Sequence, residues 1–238
     1  MNSMLSIQQL NQFYGQSHTL WDLDLEVEQG KCTVLMGRNG VGKTTLLQSI
    51  MGLLPVKSGE IIYRGRGMEV GLQKLSSERR ATLGVGYVPQ GRQIFPLLTV
   101  EENLRIGLPA RPDKQRQVPE FIFDMFPVLK QMLSRKGGDL SGGQQQQLAI
   151  GRALAIKPEL LILDEPTEGI QPNIVAEIGD IIRKLNEEIG LTVLLVEQKL
   201  PFARKVADNF CLMDRGRQVA NGDIGDLDEQ LVKQYLTV

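Results

Sequence analysis

At 238 residues and 42% hydrophobic content, the chain is long and apolar enough to bury an ordinary core as one large domain or two small ones. Twenty-seven basic residues against 28 acidic ones leave a net charge of -1, without the basic excess that neutralises a phosphate backbone, so no nucleic-acid partner is expected. Cys32 and Cys211 lack Cys-x-x-Cys spacing, the pattern of two buried free thiols in a reducing compartment rather than of a metal site. The opening residues carry no basic segment followed by an apolar core, so no secretory signal is expected. The longest apolar runs fall far short of the ~20 residues that span a bilayer, which leaves any membrane role to another subunit.

In chain order, residues 5–10 and 20–27 alternate apolar and polar side chains as half-buried strands do, with Trp21, Leu23, Leu25 and Val27 expected on one face. Between them lies Phe13-Tyr14-Gly15, where an aromatic can stack on a nucleotide base or simply close a strand end, and His18, expected at the surface. The apolar run Thr33-Val34-Leu35-Met36 reads as a buried strand, and Leu46, Leu47, Ile50, Met51 and Leu54 recur at helical spacing. Between strand and helix stands Gly37-Arg38-Asn39-Gly40-Val41-Gly42-Lys43-Thr44-Thr45, which has the Gly-x-x-x-x-Gly-Lys-Thr form. The glycines let backbone N–H groups turn inward around a phosphate, and the helix N-terminus adds its positive dipole end. Lys43 brings an ammonium to the terminal phosphates and the Thr44 hydroxyl can ligate Mg²⁺, so a nucleoside triphosphate is the expected ligand.

Gly65, Gly67 and Gly71 miss the Gly-x-Gly-x-x-Gly spacing and are expected in a loop. Residues 84–89 read as a buried strand stopped by Pro89, leaving Gln90 on a loop where its amide can ligate a cation or position water. From Thr99, which opens a capping box with Glu102, apolar spacing becomes helical, so residues 92–157 are expected as a helical insertion. Near its end, Ser141-Gly142-Gly143-Gln144 forms another capping box, and its bare first turn predicts either a second anion-binding helix terminus or a Gln-rich surface helix. Leu160-Leu161-Ile162-Leu163 is a buried parallel strand ending in Asp164 and Glu165, suited to hold Mg²⁺ and to orient or deprotonate a water. Ile174, Ile178, Ile181, Ile182, Leu185 and Ile189 mark a long helix, followed by a strand at 192–196 that ends in Glu197-Gln198, and a short acidic tail from Asp223 with a final helix.

This ordered motif set resembles the ATP-binding subunit of an ABC transporter over nearly the whole chain. Tyr14 matches the adenine-stacking aromatic, residues 37–45 Walker A, Gln90 the Q-loop, Leu140-Ser141-Gly142-Gly143-Gln144 the signature and residues 160–165 Walker B. The runs at 36–43 and 165–172 are similar to the urea-type branch of importers related to those for branched-chain amino acids. The resemblance implies an α/β fold with a P-loop NTPase core of mostly parallel sheet, an N-terminal antiparallel β subdomain and the helical insertion. It divides the single domain 1–238 into a nucleotide-binding core at 1–91 and 158–222, the insertion at 92–157 and a tail at 223–238.

The function implied is ATP hydrolysis powering import of a small polar solute, urea first. The alternatives are a branched-chain amino acid importer subunit or a soluble assembly ATPase. ATP and Mg²⁺ are the implied ligands, with Thr44, Gln90 and Asp164 around the metal. The implied partners are membrane permeases at the cytoplasmic face, indirectly a solute-binding protein, and a second ATP-binding subunit whose Ser141, Gly142, Gly143 and Gln144 cover the first subunit's ATP. Two departures stand out. Gln198 occupies the position where most relatives carry histidine, and since an amide takes no proton near neutral pH, Glu165 is expected to activate water. Glu168-Gly169-Ile170-Gln171 replaces the Ser-Ala-Leu-Asp-like D-loop of most relatives.

Overall fold

The alternating N-terminal segments pair as antiparallel strands β1 (Ser3–Tyr14) and β2 (Ser17–Glu28) in the computed structural model, which describes residues 3–237. Leu20, Leu23, Leu25 and Val27 of β2 are buried, but Trp21 is 40% exposed, which corrects the expectation that it shares their face. The cause is a bulge: Asp22 has φ 42°, and its N–H donates to Asn11 Oδ1 at 3.1 Å. One extra residue reverses the alternation, so Leu20 enters the core and Trp21 leaves it. Trp21 then packs on His18, whose ring lies between Trp21 and Phe13 with centroids 3.5 and 4.0 Å away, so this histidine is a half-buried aromatic spacer rather than a free surface group.

Strand β3 (Cys32–Met36) is wholly buried and leads through the glycine-rich loop into α1 (Lys43–Met51). Next come β4 (Ser58–Gly65) and β5 (Met68–Gly71), which complete an antiparallel sheet in the order β2-β1-β4-β5. The glycines at 65 and 67 therefore make a hairpin, and β5 was unforeseen because its four residues carry no buried alternation. Helix α2 (Ser77–Thr82) and strand β6 (Val85–Val88) precede four short to medium helices, α3 (Val100–Arg105), α4 (Phe121–Met125), α5 (Pro127–Gln131) and α6 (Gly142–Leu154). The chain closes with β7 (Leu160–Asp164), α7 (Pro172–Ile189), β8 (Thr192–Val196), α8 (Leu200–Val206), β9 (Asn209–Asp214), β10 (Arg217–Asp223) and α9 (Glu229–Tyr235).

The second sheet runs β10-β9-β3-β8-β7-β6, parallel except for β10. Strands β3, β7 and β8 are buried on both faces, whereas the edge strand β10 has no buried residue. One face packs against α3 to α8, and the other against α1 and the antiparallel sheet, so α1 is clamped between two sheets. This order puts the carboxyl ends of β3, β8, β7 and β6 side by side, the place where ligands collect in open parallel sheets.

Helix α1 is fixed by a residue the sequence pattern did not single out. Arg80 of α2 is 2% exposed, and its guanidinium donates to the α1 carbonyls of Ser49 at 2.8 Å and Ile50 at 2.5 Å and to Leu75 O at 3.0 Å. A cation there satisfies carbonyls that a helix C-terminus leaves unpaired and complements its dipole. Arg80→Met removes all three bonds and should lower stability by about 2–4 kcal/mol. Urea unfolding followed by circular dichroism measures this, and a loss below about 0.5 kcal/mol would show that the contact is ornamental.

Candidate nucleotide-binding site

Gly37, Gly40 and Gly42 have φ of 151°, 80° and 108°, values that L-residues with a side chain rarely adopt. Space is as restrictive as torsion, because a Cβ on Gly37 would lie 2.4 Å from Met213 O and one on Gly42 2.9 Å from Leu20 Cδ2. The loop delivers the chain to α1, whose N-cap Gly42 has no side chain to occupy the first-turn N–H groups. Those donors and the helix dipole make an anion site.

Lys43 is 5% exposed, and its Nζ donates to Gly37 O at 2.7 Å and Arg38 O at 3.0 Å. Burial lowers its pKa, opposed by Glu165 and Asp164. Asp164, at the end of β7, is 2% exposed, and neither carboxylate oxygen has a hydrogen-bond partner among the described residues. Burial first and the charge of Glu165 second push its pKa up to about 6, while the Thr44 hydroxyl and Lys43 pull the other way. A buried carboxylate without partners is the donor a cation requires. It therefore fits Mg²⁺, with the Thr44 hydroxyl beside it and Gln90 lining the cavity above.

Glu165 follows in a left-handed turn, φ 48°, with its N–H donating to Val196 O at 3.0 Å. Its carboxylate is held from two sides. Gln198 Nε2 donates to Oε1 at 2.5 Å and also to Asn39 Oδ1 at 2.8 Å, while Gln90 Nε2 donates to Oε2 at 3.3 Å and to Glu168 Oε2 at 2.9 Å. Both amides thus act as donors toward glutamate, which leaves Gln90 Oε1 available to a cation.

These groups enclose a cavity of 390 Å³, lined by Asn39, Gly40, Gly42, Lys43, Thr44, Thr45, Gln90, Glu165 and Gln198 of the predicted set. Tyr14 stands at the edge, 49% exposed, its hydroxyl 3.4 Å from Thr45 Oγ1. Gly37, Val41 and Asp164 lie beneath the lining, and exposed Arg38 turns outward to donate to Thr237 O. Thr19 and Glu168 line the cavity although sequence reasoning did not place them there. Glu168 had a signal, its position three residues beyond Glu165; Thr19 is brought in only by the fold. Glu197 was also undervalued: 3% exposed, it accepts from Thr167 Oγ1 at 2.6 Å and from the N–H groups of Gln198 and Lys199 at 2.8 and 3.0 Å, fixing the turn that presents Gln198.

The structure does not bring Ser141, Gly142, Gly143 and Gln144 into this cavity. They line another of 450 Å³, which shares no residue with the first. Ser141 Oγ accepts from Gln144 N at 3.3 Å and Ser141 N donates to Gln144 Oε1 at 3.0 Å, the reciprocal capping box. Gln146 and Gln147 are 4% and 6% exposed, so the glutamines following the turn are not a solvated surface tract. A Cβ on Gly143 would fall 2.9 Å from Ile174 Cγ2, and one on Gly142 3.1 Å from the Arg92 guanidinium.

The ABC transporter family model matches residues 20–168. The high-affinity branched-chain amino acid transport ATP-binding protein BraG of Pseudomonas aeruginosa is 42% identical over 218 residues, 91% of each chain. The probable branched-chain amino acid transport ATP-binding protein LivF of Archaeoglobus fulgidus is 40% identical over 227 residues, 94% of each chain. Among solved structures, the dimeric post-hydrolysis state of the ATP-binding cassette MJ0796 bound to ADP and Pi superposes with TM-score 0.80 at 26% identity, covering 93% of this chain and 99% of that one. The chain belongs to the ABC transporter family, with the ABC ATPase fold and the role of an ATP-hydrolysing subunit.

Proposed function

We propose that this chain hydrolyses MgATP in a site completed by a second ATP-binding subunit, and so drives import of branched-chain amino acids through separate membrane permeases. The observation that carries the composite site is the division of phosphate-binding features between two cavities without a common residue. A signature that its own cradle cannot use fits a lid for a mate's cradle, and MJ0796 is dimeric in its ADP- and Pi-bound state. Whether the mate is a second copy or a paralogue, the chemistry asked of it is the same. BraG and LivF both carry branched-chain amino acid names, so likeness favours that solute over the urea expectation. It likewise favours transport over a soluble assembly role.

No helix among the described residues is long and apolar enough to cross a membrane, which fits a pore built by other subunits. Phe95 and Leu97, 45% and 81% exposed between Gln90 and α3, form an apolar surface on which a permease segment at the cytoplasmic face can rest. Motion of Gln90 on nucleotide arrival would reach them through five to seven residues of loop.

Within the site, Lys43 exchanges its two loop carbonyls for phosphate oxygens, a stronger charge-assisted bond. Thr44, Gln90 Oε1 and Asp164 would hold Mg²⁺, which supplies positive charge against the phosphate oxygens during transfer. Tyr14 provides a face for adenine. Glu165, oriented by Gln198 and Gln90, takes the proton of the attacking water. Gln198 is a donor and a positioning residue here, since its amide cannot accept that proton.

Three outcomes test this reading. Glu165→Gln should bind ATP normally yet lose about 10²-fold or more in turnover, as loss of a general base does; near-normal turnover measured by phosphate release would refute the assignment. A strain lacking the chain should lose uptake of radiolabelled leucine while urea uptake persists, and the reverse result would restore urea as the solute. The third concerns Asp164. Between its ordinary value of 3.8 and its folded value of about 6, the folded protein holds a proton that the unfolded chain has released, so stability falls as pH rises through that window. Without Mg²⁺ or nucleotide, Asp164→Asn should therefore be more stable than wild type near neutral pH by roughly 1–3 kcal/mol, with the gap closing below about pH 4. Urea unfolding at both pH values decides it, and a gap independent of pH would refute the electrostatic account.

A further inference from the structure

Strands β9 and β10 are joined by a two-residue hairpin turn, in which Arg217 pairs with Asp214 and φ is 45° at Arg215 and 77° at Gly216. No residue of this turn lines either phosphate-binding cavity. It nevertheless lies between the two elements that build the nucleotide site. Gly216 N–H donates to the phosphate-loop carbonyl of Val41 at 2.9 Å, and Gly216 O accepts from Trp21 N–H of β2, also at 2.9 Å. Glycine is required there, because a Cβ at 216 would lie 2.0 Å from the backbone oxygen of Thr19, a residue of the cavity lining.

The bond to Val41 decides which way one peptide of the cradle faces. Among the described residues no peptide bond is cis, and in a trans peptide the carbonyl and the following N–H point in opposite directions. Val41 O is turned toward Gly216, beneath the lining, so the N–H of Gly42, a lining residue, is turned into the cavity. By itself this peptide would turn over easily. Gly40 and Gly42 flank it at φ 80° and 108°, and a glycine offers little torsional resistance to a flip. The flipped form would present a carbonyl oxygen to a phosphate and repel the anion that an N–H attracts.

The neighbouring restraints serve other peptides. Lys43 Nζ holds the carbonyls of Gly37 and Arg38, and Gly42 O accepts from Leu46 N at 2.9 Å as the first bond of α1. The Gly216 N–H comes instead from a turn outside both cavities, so an arriving phosphate does not compete for it.

We propose that Gly216 is a positioning residue for phosphate binding, which holds the Val41 carbonyl out of the cradle and so keeps the Gly42 N–H aimed into it. The inference rests on the proposed function, in that the cradle must bind ATP. Linkage makes the effect reciprocal: a bond that favours bound phosphate is itself stabilised by bound phosphate.

Amide hydrogen exchange of the native chain, with and without pyrophosphate, tests this directly, since that probe reaches the loop but offers no base to Tyr14. At pyrophosphate roughly 100-fold above its Kd, the Gly216 amide should exchange about 10-fold slower or more, while the other β10 amides change less. In Gly216→Ala, with circular dichroism certifying the fold, affinity for ATP and for pyrophosphate should fall alike by about 10-fold or more. Its kcat at saturating ATP should stay within about 3-fold of wild type, the split expected when a contact common to ground and transition states is lost. Partial unfolding would instead lower kcat at constant KM. Gly216 exchange unmoved by bound pyrophosphate, equal slowing along β10, undiminished pyrophosphate affinity in the folded variant, or a kcat loss at constant KM would each overturn the inference while ATP binding by wild type upholds the cradle. Failure of the wild type to bind ATP would overturn the proposed function as well. The exchange comparison uses the native chain and stands even where the variant fails to fold.

Discussion

The site depends on two opposite charges buried at the foot of one loop and satisfied differently. Lys43 has its ammonium capped by the carbonyls of Gly37 and Arg38, whereas Asp164, as deeply buried, has no partner for either oxygen among the described residues. Desolvation on that scale is costly for a carboxylate, and the folded protein answers by raising the pKa of Asp164 toward the neutral form. The rest of the fold bears this cost. Fully buried β3, β7 and β8 make the floor rigid, and α1 is held between two sheets with Arg80 on its last carbonyls. A polar hole in a rigid floor keeps its shape until a cation and a phosphate fill it, which is the preorganisation that electrostatic catalysis requires.

How much of this could be read from the chain follows from the range of each interaction. The phosphate loop was legible because its parts are adjacent: a buried strand, glycines at torsions other residues resist, and a helix whose first residue is the cation. Both capping boxes were legible for the same reason, since Thr99 with Glu102 and Ser141 with Gln144 close within one turn. Trp21 was misplaced because the bulge at Asp22 is set by Asn11 on the neighbouring strand, a partner that β2's own alternation does not reveal. Arg80 reads locally as an ordinary charge on a short helix; only the fold brings it to α1. Strand β9 was legible, since Phe210, Cys211, Leu212 and Met213 form the same kind of buried apolar run as residues 160–163, whereas β10 has no buried residue to mark it.

The candidate site shows the same division. Gln90, Asp164, Glu165 and Gln198 come from the ends of three strands far apart in sequence, yet each was accessible as a polar residue stopping an apolar run. Parallel order then made them neighbours. Thr19 and Glu197 required the structure, one because it approaches from the other sheet, the other because its importance lies in three hydrogen bonds to its surroundings rather than in the cavity.

The departure at residues 168–171 acquires a physical meaning from these contacts. Glu168 lines the nucleotide cavity and accepts from Gln90, while the next residue, Gly169, lines the signature cavity. One peptide bond therefore separates the two surfaces that a composite site must bring into use together. The segment is also tethered behind, where Thr167 donates to Glu197 and Lys199 Nζ donates to Thr167 O at 3.0 Å. With Thr167 pinned to the turn after β8, a rearrangement of Gln90 cannot be absorbed by sliding of the whole segment and falls on the torsions of Glu168 and Gly169. Gly169, at φ 63°, can accept such a change without strain on a side chain. In the proposed dimer this couples occupancy of one subunit's cradle to the shape of the lid it offers its mate, and it does so over a shorter path than the helical insertion provides.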